Sequence, residues 1–411
     1  MDEPQRIVMP DSIVVGLAAE NAAGPIYMTS IAADPGSGLP QTTLSAIDLS
    51  GKVRWQRLFA GSTGAPRATG NGIGGVWLAR QGPDGAAVLE ETGPDGLPAQ
   101  AIGLDHQPSE KLGEVVLLPD GFCTAWTSGP PYQGARVDRR GADGARIWSA
   151  VIAPAQLAHD CIMEASADTG WRSQPKPPWI PTTFRLHHSE PLLVSGDRIL
   201  ASYREGKTGL GISYFVNAET GELIKSTKPA PIGHKAILGS GEFLIGAQGY
   251  DEFVSIQYTR AGDEATCWPT SGATLIDRAG NLYGFEVDNR ATAQPRLRLM
   301  ERDGSLSDGP VLTGRHTGHP ALDRDGTAVL WRHRSLLTID AERTVRELFR
   351  EPKRAAFTSR ILLLEDGIVA LGLDNGLLIC RTGLGPLEDS IWPCGDGNLN
   401  GNPVAFGALT V

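Results

Sequence analysis

The stretch from Leu44 to Trp55, LSAIDLSGKVRW, decides the fold class of this chain. Its first six residues alternate with a period of two, which is typical of a pleated strand. The turn that follows ends on Gly51, and glycine supplies the positive φ that a tight hairpin needs. A second strand then runs through Val53 and Trp55. The stretch therefore predicts a β-hairpin.

Similar turn glycines recur along the chain in two interleaved series. The first series has eight members, spaced by 39 to 75 residues: Gly24, Gly72, Gly121, Gly196, Gly241, Gly280, Gly326 and Gly367. The second series follows each of these about 20 to 30 residues later: Gly51, Gly96, Gly144, Gly221, Gly262, Gly304, the glycine-free turn at 339 to 346, and Gly385. Each period thus holds two hairpins. Four antiparallel strands every 40 to 50 residues are typical of a β-propeller blade.

We therefore predict an all-β fold, an eight-bladed β-propeller of four-stranded antiparallel blades, with seven blades as the alternative count. A small twisted sheet cannot cover both of its faces alone, whereas stacking around a ring buries them. Residues 1–411 should form one domain with an insertion at about 154–186. The segment after Asn402 is one strand too many, and we expect it to close the ring by pairing with blade 1 or with the N-terminal RIVMP.

Charge and composition restrict the partners. The net charge of −10 disfavours nucleic acid, and no apolar run is long enough to span a membrane. The N-terminus has no signal-like segment, so we expect a cytoplasmic protein, although a trimmed secreted or periplasmic chain would look the same. The five cysteines are far apart and include no CxxC, which favours reduced and mostly buried thiols.

The hairpin AIDLSGKVRW resembles the repeat of the quinoprotein-like propellers, the family of PQQ-dependent dehydrogenases and their cofactor-free relatives. Trp55 and Trp148 each stand four residues after a turn glycine, and Trp268 and Trp392 are expected to close the outer strands of two further blades. The resemblance implies that such tryptophans dock neighbouring blades. It also implies the cofactor-free branch, because the adjacent cysteines that flank PQQ in that family are absent. We expect no cofactor and consider PQQ improbable.

Histidines are the best candidates for chemistry. Six of the eight lie in segments that leave the outer strand of one blade and enter the inner strand of the next: His106, His187, His188, His234, His316 and His319. Such segments share one face of a propeller, which we call the entry face. Neutral imidazoles are common transition-metal ligands. A catalytic or metal site at the mouth of the axial channel would therefore use His187, His234 and His319, whereas the alternative is that these are ordinary surface residues.

The long insertion supplies the candidates for ligand or partner binding. Trp171 and Trp179 lie within it, and long loops on rigid scaffolds often carry binding residues. Positive charges near the same face could form an anion-binding funnel or pair with acids such as Asp105 and Glu190: Arg67, Arg185, Lys235 and Arg315. The remaining histidines of the entry segments, His106, His188 and His316, would join this surface. Within the insertion, His159 and Cys161 form a further, weaker nucleophile candidate.

No hydrolase, protease, Walker or dinucleotide motif occurs in the required context. We therefore expect a non-redox binding or scaffolding protein that holds a protein, peptide or small molecule on the face carrying the insertion. The alternative is an enzyme, metal-dependent or a cofactor-free lyase or hydrolase, with a histidine-lined site at the mouth of the axial channel.

Overall fold

A computed structural model describes most of the chain. The described residues are 4–9, 11–33, 36, 40–60, 67–82, 84–128, 135–152, 185–186, 192–204, 210–248, 253–270, 272–285, 295–313, 317–352, 355–395 and 397–405. They form eight sheets, each with four antiparallel strands that lie side by side. The sheets are the blades of the ring, and the fourth blade along the chain has two additional short strands. The eight-bladed β-propeller prediction is therefore confirmed, and the seven-blade alternative is wrong.

Blades 1 to 4 follow one another along the chain after the N-terminal strand β1 (Gln5–Val8). Blade 1 contains β2 (Ser12–Ala19), β3 (Ile26–Ala33), β4 (Pro40–Ile47) and β5 (Val53–Ala60). Blade 2 contains β6 (Ala68–Gly70), β7 (Val76–Gln81), β8 (Ala87–Thr92) and β9 (Pro98–Leu104). Blade 3 contains β10 (Glu110–Leu118), β11 (Gly121–Ser128), β12 (Ala135–Gly141) and β13 (Arg146–Ile152). Blade 4 contains β14 (Arg185–Leu186), β15 (Leu192–Ser195), β16 (Arg198–Arg204), β17 (Gly211–Asn217) and β18 (Leu223–Ser226).

Blades 5 to 8 complete the ring. Blade 5 contains β19 (Ile232–Gly239), β20 (Glu242–Gln248), β21 (Phe253–Tyr258) and β22 (Glu264–Trp268). Blade 6 contains β23 (Thr274–Ile276), β24 (Leu282–Gly284), β25 (Arg296–Met300) and β26 (Leu306–Val311). Blade 7 contains β27 (Ala321–Leu322), β28 (Ala328–Arg332), β29 (Ser335–Ile339) and β30 (Val345–Arg350). Blade 8 contains β31 (Phe357–Leu363), β32 (Ile368–Leu373) and β33 (Gly376–Arg381), and β34 (Val404–Ala405) follows near the C-terminus.

The predicted turns lie where the glycine series places them. All eight glycines of the first series have positive φ and connect the inner strand of a blade to the second. The glycine-free turn of the second series keeps the same conformation, because Arg343 takes φ 64° there. A helix is confined, within the described residues, to the 3-10 turn Glu365–Gly367 between β31 and β32. We call the face with these hairpin turns the turn face.

Ring closure differs from the prediction. The N-terminal strand β1 pairs antiparallel with β33 and is the outer strand of blade 8. Gly385 therefore forms no blade hairpin, because its place in blade 8 is taken by the other end of the chain. The C-terminal β34 pairs in parallel with β15 of blade 4, at Val194 and Ser195, and not with blade 1 or the N-terminal strand.

A long extended segment crosses the axial channel at its turn-face end. We call residues 386–405 the strap; residue 396 lies outside the description. Its main-chain hydrogen bonds to inner strands are Leu387 N to Leu363 O, Glu388 N to Leu322 O, Ile276 N to Trp392 O, Leu322 N to Pro393 O, Ala19 N to Leu399 O, Gly70 N to Asn400 O and Val194 N to Pro403 O. The strap thereby covers edges that inner strands would otherwise expose.

Asn398 and Asn402 fasten the strap further. The Oδ1 of Asn402 accepts from Leu117 N at 3.0 Å, and its Nδ2 donates to Leu117 O at 2.9 Å. The side chain thus binds blade 3 as a main-chain partner would. Arg360 of blade 8 donates to Asn398 O. Together with the main-chain bonds, the strap is hydrogen-bonded to seven of the eight blades within the described residues.

Apolar clusters fill the seams between blades. One cluster joins blades 3 and 4, and another joins blades 8 and 1. The expected docking role of Trp55 and Trp148 is visible, since each indole N–H donates at 3.0 Å to a carbonyl of the next blade. Trp268 ends the outer strand of blade 5, as expected. Trp392, however, lies in the strap and not in an outer strand.

Candidate functional site in the axial channel

His234 and His319 meet in the axial channel, although they come from blades 5 and 7, which are not neighbours. Their ring centroids are 5.7 Å apart and the rings stand edge to face at 84°. His234 lies in β19 where the register shifts between Ile232 and Lys235, so two residues bulge from the ladder. His319 lies two residues before the start of β27. Only side chains that reach toward the axis can meet across the intervening blade 6.

An aromatic row holds His319 in place. The His319 ring lies 6.4 Å from the ring of Phe357, and Phe357 stacks on Trp331 at 6.3 Å and 19°. Gly318 allows this packing, because a Cβ at residue 318 would lie 2.5 Å from the Phe357 ring. The Gly318 N–H also donates to Trp331 O at 2.9 Å. The imidazole of His319 is therefore positioned by blades 7 and 8 together.

The strap passes directly beneath this histidine pair. A Cβ added to Gly395 would lie 2.4 Å from His319 Nδ1, so only glycine lets the strap run this close. Gly395 N–H donates to Pro320 O at 3.1 Å, which fixes the strap beside His319. The histidine pair is therefore bordered by the Phe357 ring and by the main chain of the strap at Gly395.

Positive side chains near the channel are held by partners. Arg67, expected in an anion-binding funnel, forms an ion pair with Glu114 at 3.2 Å. Lys235 is buried at 2% exposure. Asp105, considered as a partner for such charges, pairs instead with Arg140 and Arg146 of blade 3. Arg67 is thus paired with an acid, which is the alternative to the anion-binding funnel, although its partner is Glu114 and not Asp105.

His106 does not join the histidine pair. Its ring stacks on Trp126 at 5.0 Å in the seam between blades 2 and 3. Its two ring nitrogens lie 2.8 Å from the carbonyl oxygens of Gln107 and Gly85. Burial is the largest influence on the pKa of the nearby Glu110 and raises it, but the hydrogen bonds from Arg136 and from the Gln107 N–H, together with the charge of Arg136, outweigh burial and lower the pKa. These contacts are those of a packed seam residue.

Several predicted site residues lie outside the described residues: His187, His188, His316, Trp171, Trp179 and Arg315, together with His159 and Cys161. Arg185 is described through its main chain, which pairs with Arg204 as the start of β14. The chain leaves β13 at Ile152 and re-enters blade 4 at Arg185, both at the entry face. The 154–186 insertion is therefore attached to the face on which the histidine pair opens.

Metal binding through the described residues would rest on two imidazoles. No group of three His, Cys, Asp or Glu residues that could hold an ion is present within them. Catalytic zinc sites usually have three protein ligands, so His234 and His319 supply part of such a set. Cys123, Cys267, Cys380 and Cys394 form no disulfide with one another, and burial raises the pKa of Cys123 and of Cys380 to about 12. Those two buried thiols therefore stay protonated and unreactive.

A second concavity, a groove of about 510 Å³, opens on the turn face between blades 2 and 3. Its walls include Trp77, Leu89, Ile102 and Phe122, and its inner end is formed by the strap residues Asn398, Asn400 and Asn402. Neither this groove nor the strap is predicted from the sequence. The one available signal is the series Asn398, Asn400 and Asn402 after the last apolar strand, since asparagine side chains readily bond to main chain.

Comparisons with known proteins agree on little beyond architecture. No family model matches the chain, and no curated protein matches it. Among solved structures, a catalytically inactive virginiamycin B lyase from Staphylococcus aureus with quinupristin is 12% identical, with 92% of this chain and 98% of that chain covered, at a TM-score of 0.46. The β-propeller domain of the trilobed protease from Pyrococcus furiosus is 11% identical, with coverages of 94% and 98% and a TM-score of 0.43. Identities this low concern the fold alone.

No helix within the described residues is long and apolar enough to cross a membrane.

Proposed function

We propose that this chain is a non-redox β-propeller that binds a ligand in the recess at the entry-face mouth of its axial channel. The observation that carries the proposal is the contact between His234 and His319 at 5.7 Å, made across blade 6. A blade-packing role would keep such side chains within one seam. The contact instead joins side chains of blades 5 and 7, which are not neighbours, beside the strap residue Gly395.

The chemistry of the recess favours a small aromatic anion as the part of the ligand that it holds. Phe357 presents an apolar ring beside His319, and imidazole rings carry nitrogens that can donate hydrogen bonds. Ring contacts and a few convergent polar groups are the usual composition of a ligand pocket. A carboxylate that accepts from the imidazoles, attached to a ring that packs on Phe357, would satisfy both. A peptide or protein segment carrying such a group would bind in the same way.

The test uses benzoate and its neutral counterpart benzamide as probes, observed by saturation-transfer NMR. Benzoate should bind the native chain, and His234→Ala and His319→Ala should each weaken it about tenfold, as expected for loss of a charge-assisted hydrogen bond. Benzamide should bind more weakly than benzoate. His106→Ala is the matched control, since that histidine packs in the seam between blades 2 and 3. Benzoate binding that survives both channel substitutions would refute the proposal.

The insertion is tested separately. We propose that Trp171 and Trp179 extend the recess, because the insertion is attached to the same face through Ile152 and Arg185. Trp171→Ala and Trp179→Ala should then weaken benzoate or a larger aromatic carboxylate. Unchanged binding in both variants would remove the insertion from the site and leave the histidine recess standing.

A metal-dependent enzyme is the second candidate, favoured by the same imidazole pair. His187 would be the third ligand, and a bound ion would then act as a Lewis acid or activate a water molecule. In that case Co²⁺ should give a visible absorption band at one ion per chain, and His187→Ala, His234→Ala and His319→Ala should each abolish it. A native chain that gives no such band and contains no stoichiometric metal would exclude this candidate.

The family assignment remains part of the proposal. We infer that the chain belongs with the cofactor-free quinoprotein-like propellers, supported by the docking of Trp55 and Trp148 on the next blade. We also propose a cytoplasmic location, supported by the four cysteines of the described residues, which form no disulfide with one another. An apo sample that neither binds PQQ nor forms disulfides under cytosolic redox conditions would agree with both inferences, and tight PQQ binding would contradict the first.

A further inference from the structure

Five outer strands share one structural position, which is occupied by different residues. Each of β5, β9, β13, β18 and β22 has a bulge near its start, and the residue directly after the bulge pairs with the third strand. That residue is Trp55 in blade 1, Gln100 in blade 2, Trp148 in blade 3, Lys225 in blade 4 and Thr266 in blade 5. Equal register means that the five side chains start from the same place on their blades.

The two tryptophans fill this place in the same manner. Trp55 Nε1 donates to Pro94 O at 3.0 Å, and a Cβ on Gly96 would lie 2.7 Å from the indole, so the ring covers that turn glycine. Trp148 Nε1 donates to Ala218 O at 3.0 Å, and Gly221 lies equally close beneath its ring. The recurrent arrangement is an indole between two blades, hydrogen-bonded to a turn carbonyl.

The groove of about 510 Å³ lies in the seam where Gln100 replaces this indole. Gln100 lines it from blade 2, and Ala142, on the turn that corresponds to the turn of Pro94, lines it from blade 3. Gly144 is contacted there by Ile102, so the seam is closed at that point by a smaller side chain. Beside Ile102, the rest of the groove is open at the turn face.

The lining of the groove specifies the chemistry of an occupant. Trp77 is half-buried and presents part of its ring to the groove, beside the apolar Leu89 and Phe122. None of the residues that line the groove has an ionisable side chain. The polar groups are side-chain amides, with Gln100 on one wall and Asn400 at the inner end. An uncharged ligand fits such a site, because a charge would lose its hydration without gaining a partner.

We propose that this groove is a binding site for a neutral aromatic heterocycle with an N–H donor, of which indole is the simplest example. The ring stacks on Trp77 between Leu89 and Phe122, in place of the side chain that blades 1 and 3 supply. The N–H donates to the carbonyl of Ala142, as the indoles of Trp55 and Trp148 donate to their turns. A polar substituent on the ring would reach the amides of Asn400 and its neighbours, since the groove is larger than the ring.

Indole and 1-methylindole serve as probes, titrated against the native chain by NMR at millimolar concentrations. Indole should bind, and 1-methylindole should bind about fivefold more weakly, because it cannot donate the hydrogen bond. Gln100→Trp should place an indole in the groove, raise the melting temperature and abolish binding of both probes. Leu118→Trp, on the opposite wall, is a second blocking variant in case the first does not fold.

Two controls separate this site from others. Thr266→Trp puts the same residue at the corresponding position after the bulge in blade 5, away from the groove, and should leave indole binding unchanged. His319→Ala should also leave it unchanged, so this inference stands or fails independently of the axial recess. Absence of indole binding to the native chain would overturn the proposal, as would equal binding to folded Gln100→Trp and Leu118→Trp variants.

Discussion

The two ends of the axial channel are built from different parts of the chain. At the turn face the strap closes it with main-chain hydrogen bonds, such as Ala19 N–H to Leu399 O at 2.8 Å. At the entry face the wall consists of side chains, with His234 and His319 in contact at 5.7 Å. Main-chain hydrogen bonds form whichever side chain is present, whereas the properties of the entry end are set by its side chains. We therefore expect the turn-face end to contribute mainly to stability and the entry-face end mainly to ligand choice.

Removing the strap tests the closed end most severely. Deletion of residues 386–411 should abolish cooperative thermal unfolding, because the inner strands of seven blades lose a hydrogen-bonded partner. Circular dichroism and size-exclusion chromatography measure the effect. Deletion of residues 406–411 alone is the control and should change little, since the hydrogen bonds described for the strap end at Ala405. A strapless chain with native melting would refute the structural role.

Gly395→Ala should have the next largest effect, since it affects both ends at once. The added Cβ would lie 2.4 Å from His319 Nδ1, so either the strap or the imidazole must move. We expect a loss of about 1–3 kcal/mol in the free energy of unfolding, measured by urea denaturation, and weaker benzoate binding. Gly383→Ala is the matched control, because a Cβ there meets nothing within 4 Å. Equal effects of the two substitutions would contradict the packing argument.

Asn402→Ala should destabilise the strap by a single anchor. It removes both hydrogen bonds to Leu117 and leaves a main-chain donor and acceptor without that partner. The expected cost is about 2 kcal/mol, from urea denaturation. Asn402→Asp keeps the acceptor for the Leu117 N–H, so its free energy of unfolding should lie between those of the native chain and Asn402→Ala. An alanine variant as stable as the native chain would show that the main-chain bonds hold the strap without this amide.

Glu388 in the strap should give a smaller, pH-dependent effect. Burial raises the pKa of this carboxyl, and the neighbouring Asp277 and Asp323 raise it further. The folded state then binds the proton more tightly than the unfolded state, so stability falls as pH rises from the usual glutamate pKa through the raised one. Glu388→Gln should remove that fall. The measurement is the difference between native and variant stability across this range, and a difference that does not change with pH would contradict it.

His319→Ala should have the smallest effect on stability and a large effect on binding. The side chain is half-buried and packs beside the rings of His234 and Phe357, and we expect a loss below about 1 kcal/mol. Benzoate affinity in the same variant should fall about tenfold. If His319→Ala instead loses as much stability as Gly395→Ala and keeps its benzoate affinity, then His319 has a structural role and not a binding role.

Much of the fold could be predicted because its turns are local. A tight turn requires positive φ at one residue, and glycine takes that conformation in six turns of the second series, as predicted from spacing. The seventh glycine of that series, Gly385, is not in a blade hairpin. The strap could not be found in this way. An extended segment that bonds to seven inner strands uses partners far away in sequence, and nothing local distinguishes it from an outer strand. The spacing alone therefore predicts Trp392 in the outer strand of a blade.

The candidate site shows the same division. The position of His234 and His319 in entry segments follows from the repeat, and their contact requires both side chains to point to the axis. The direction of the two side chains depends on the bulge at residues 233–234 and on the aromatic row beside His319. The spacing of the repeat predicts neither feature. His106 occupies an equivalent segment but turns toward Trp126. The groove at Gln100 cannot be predicted from the repeat, because it lies where an outer strand lacks the tryptophan that blades 1 and 3 have.

The way the ring closes also bears on how the protein is synthesised. Blade 8 needs strand β1, and the channel needs residues 386–405, which follow all eight blades in the sequence. Blades that have already emerged from the ribosome must therefore wait, with inner edges unpaired, until the strap has been synthesised. Contacts of such long sequence separation form slowly, and nascent chains in that interval are exposed to aggregation. Chaperone dependence during translation would be the cellular cost of a channel closed by a segment that follows its blades in the sequence.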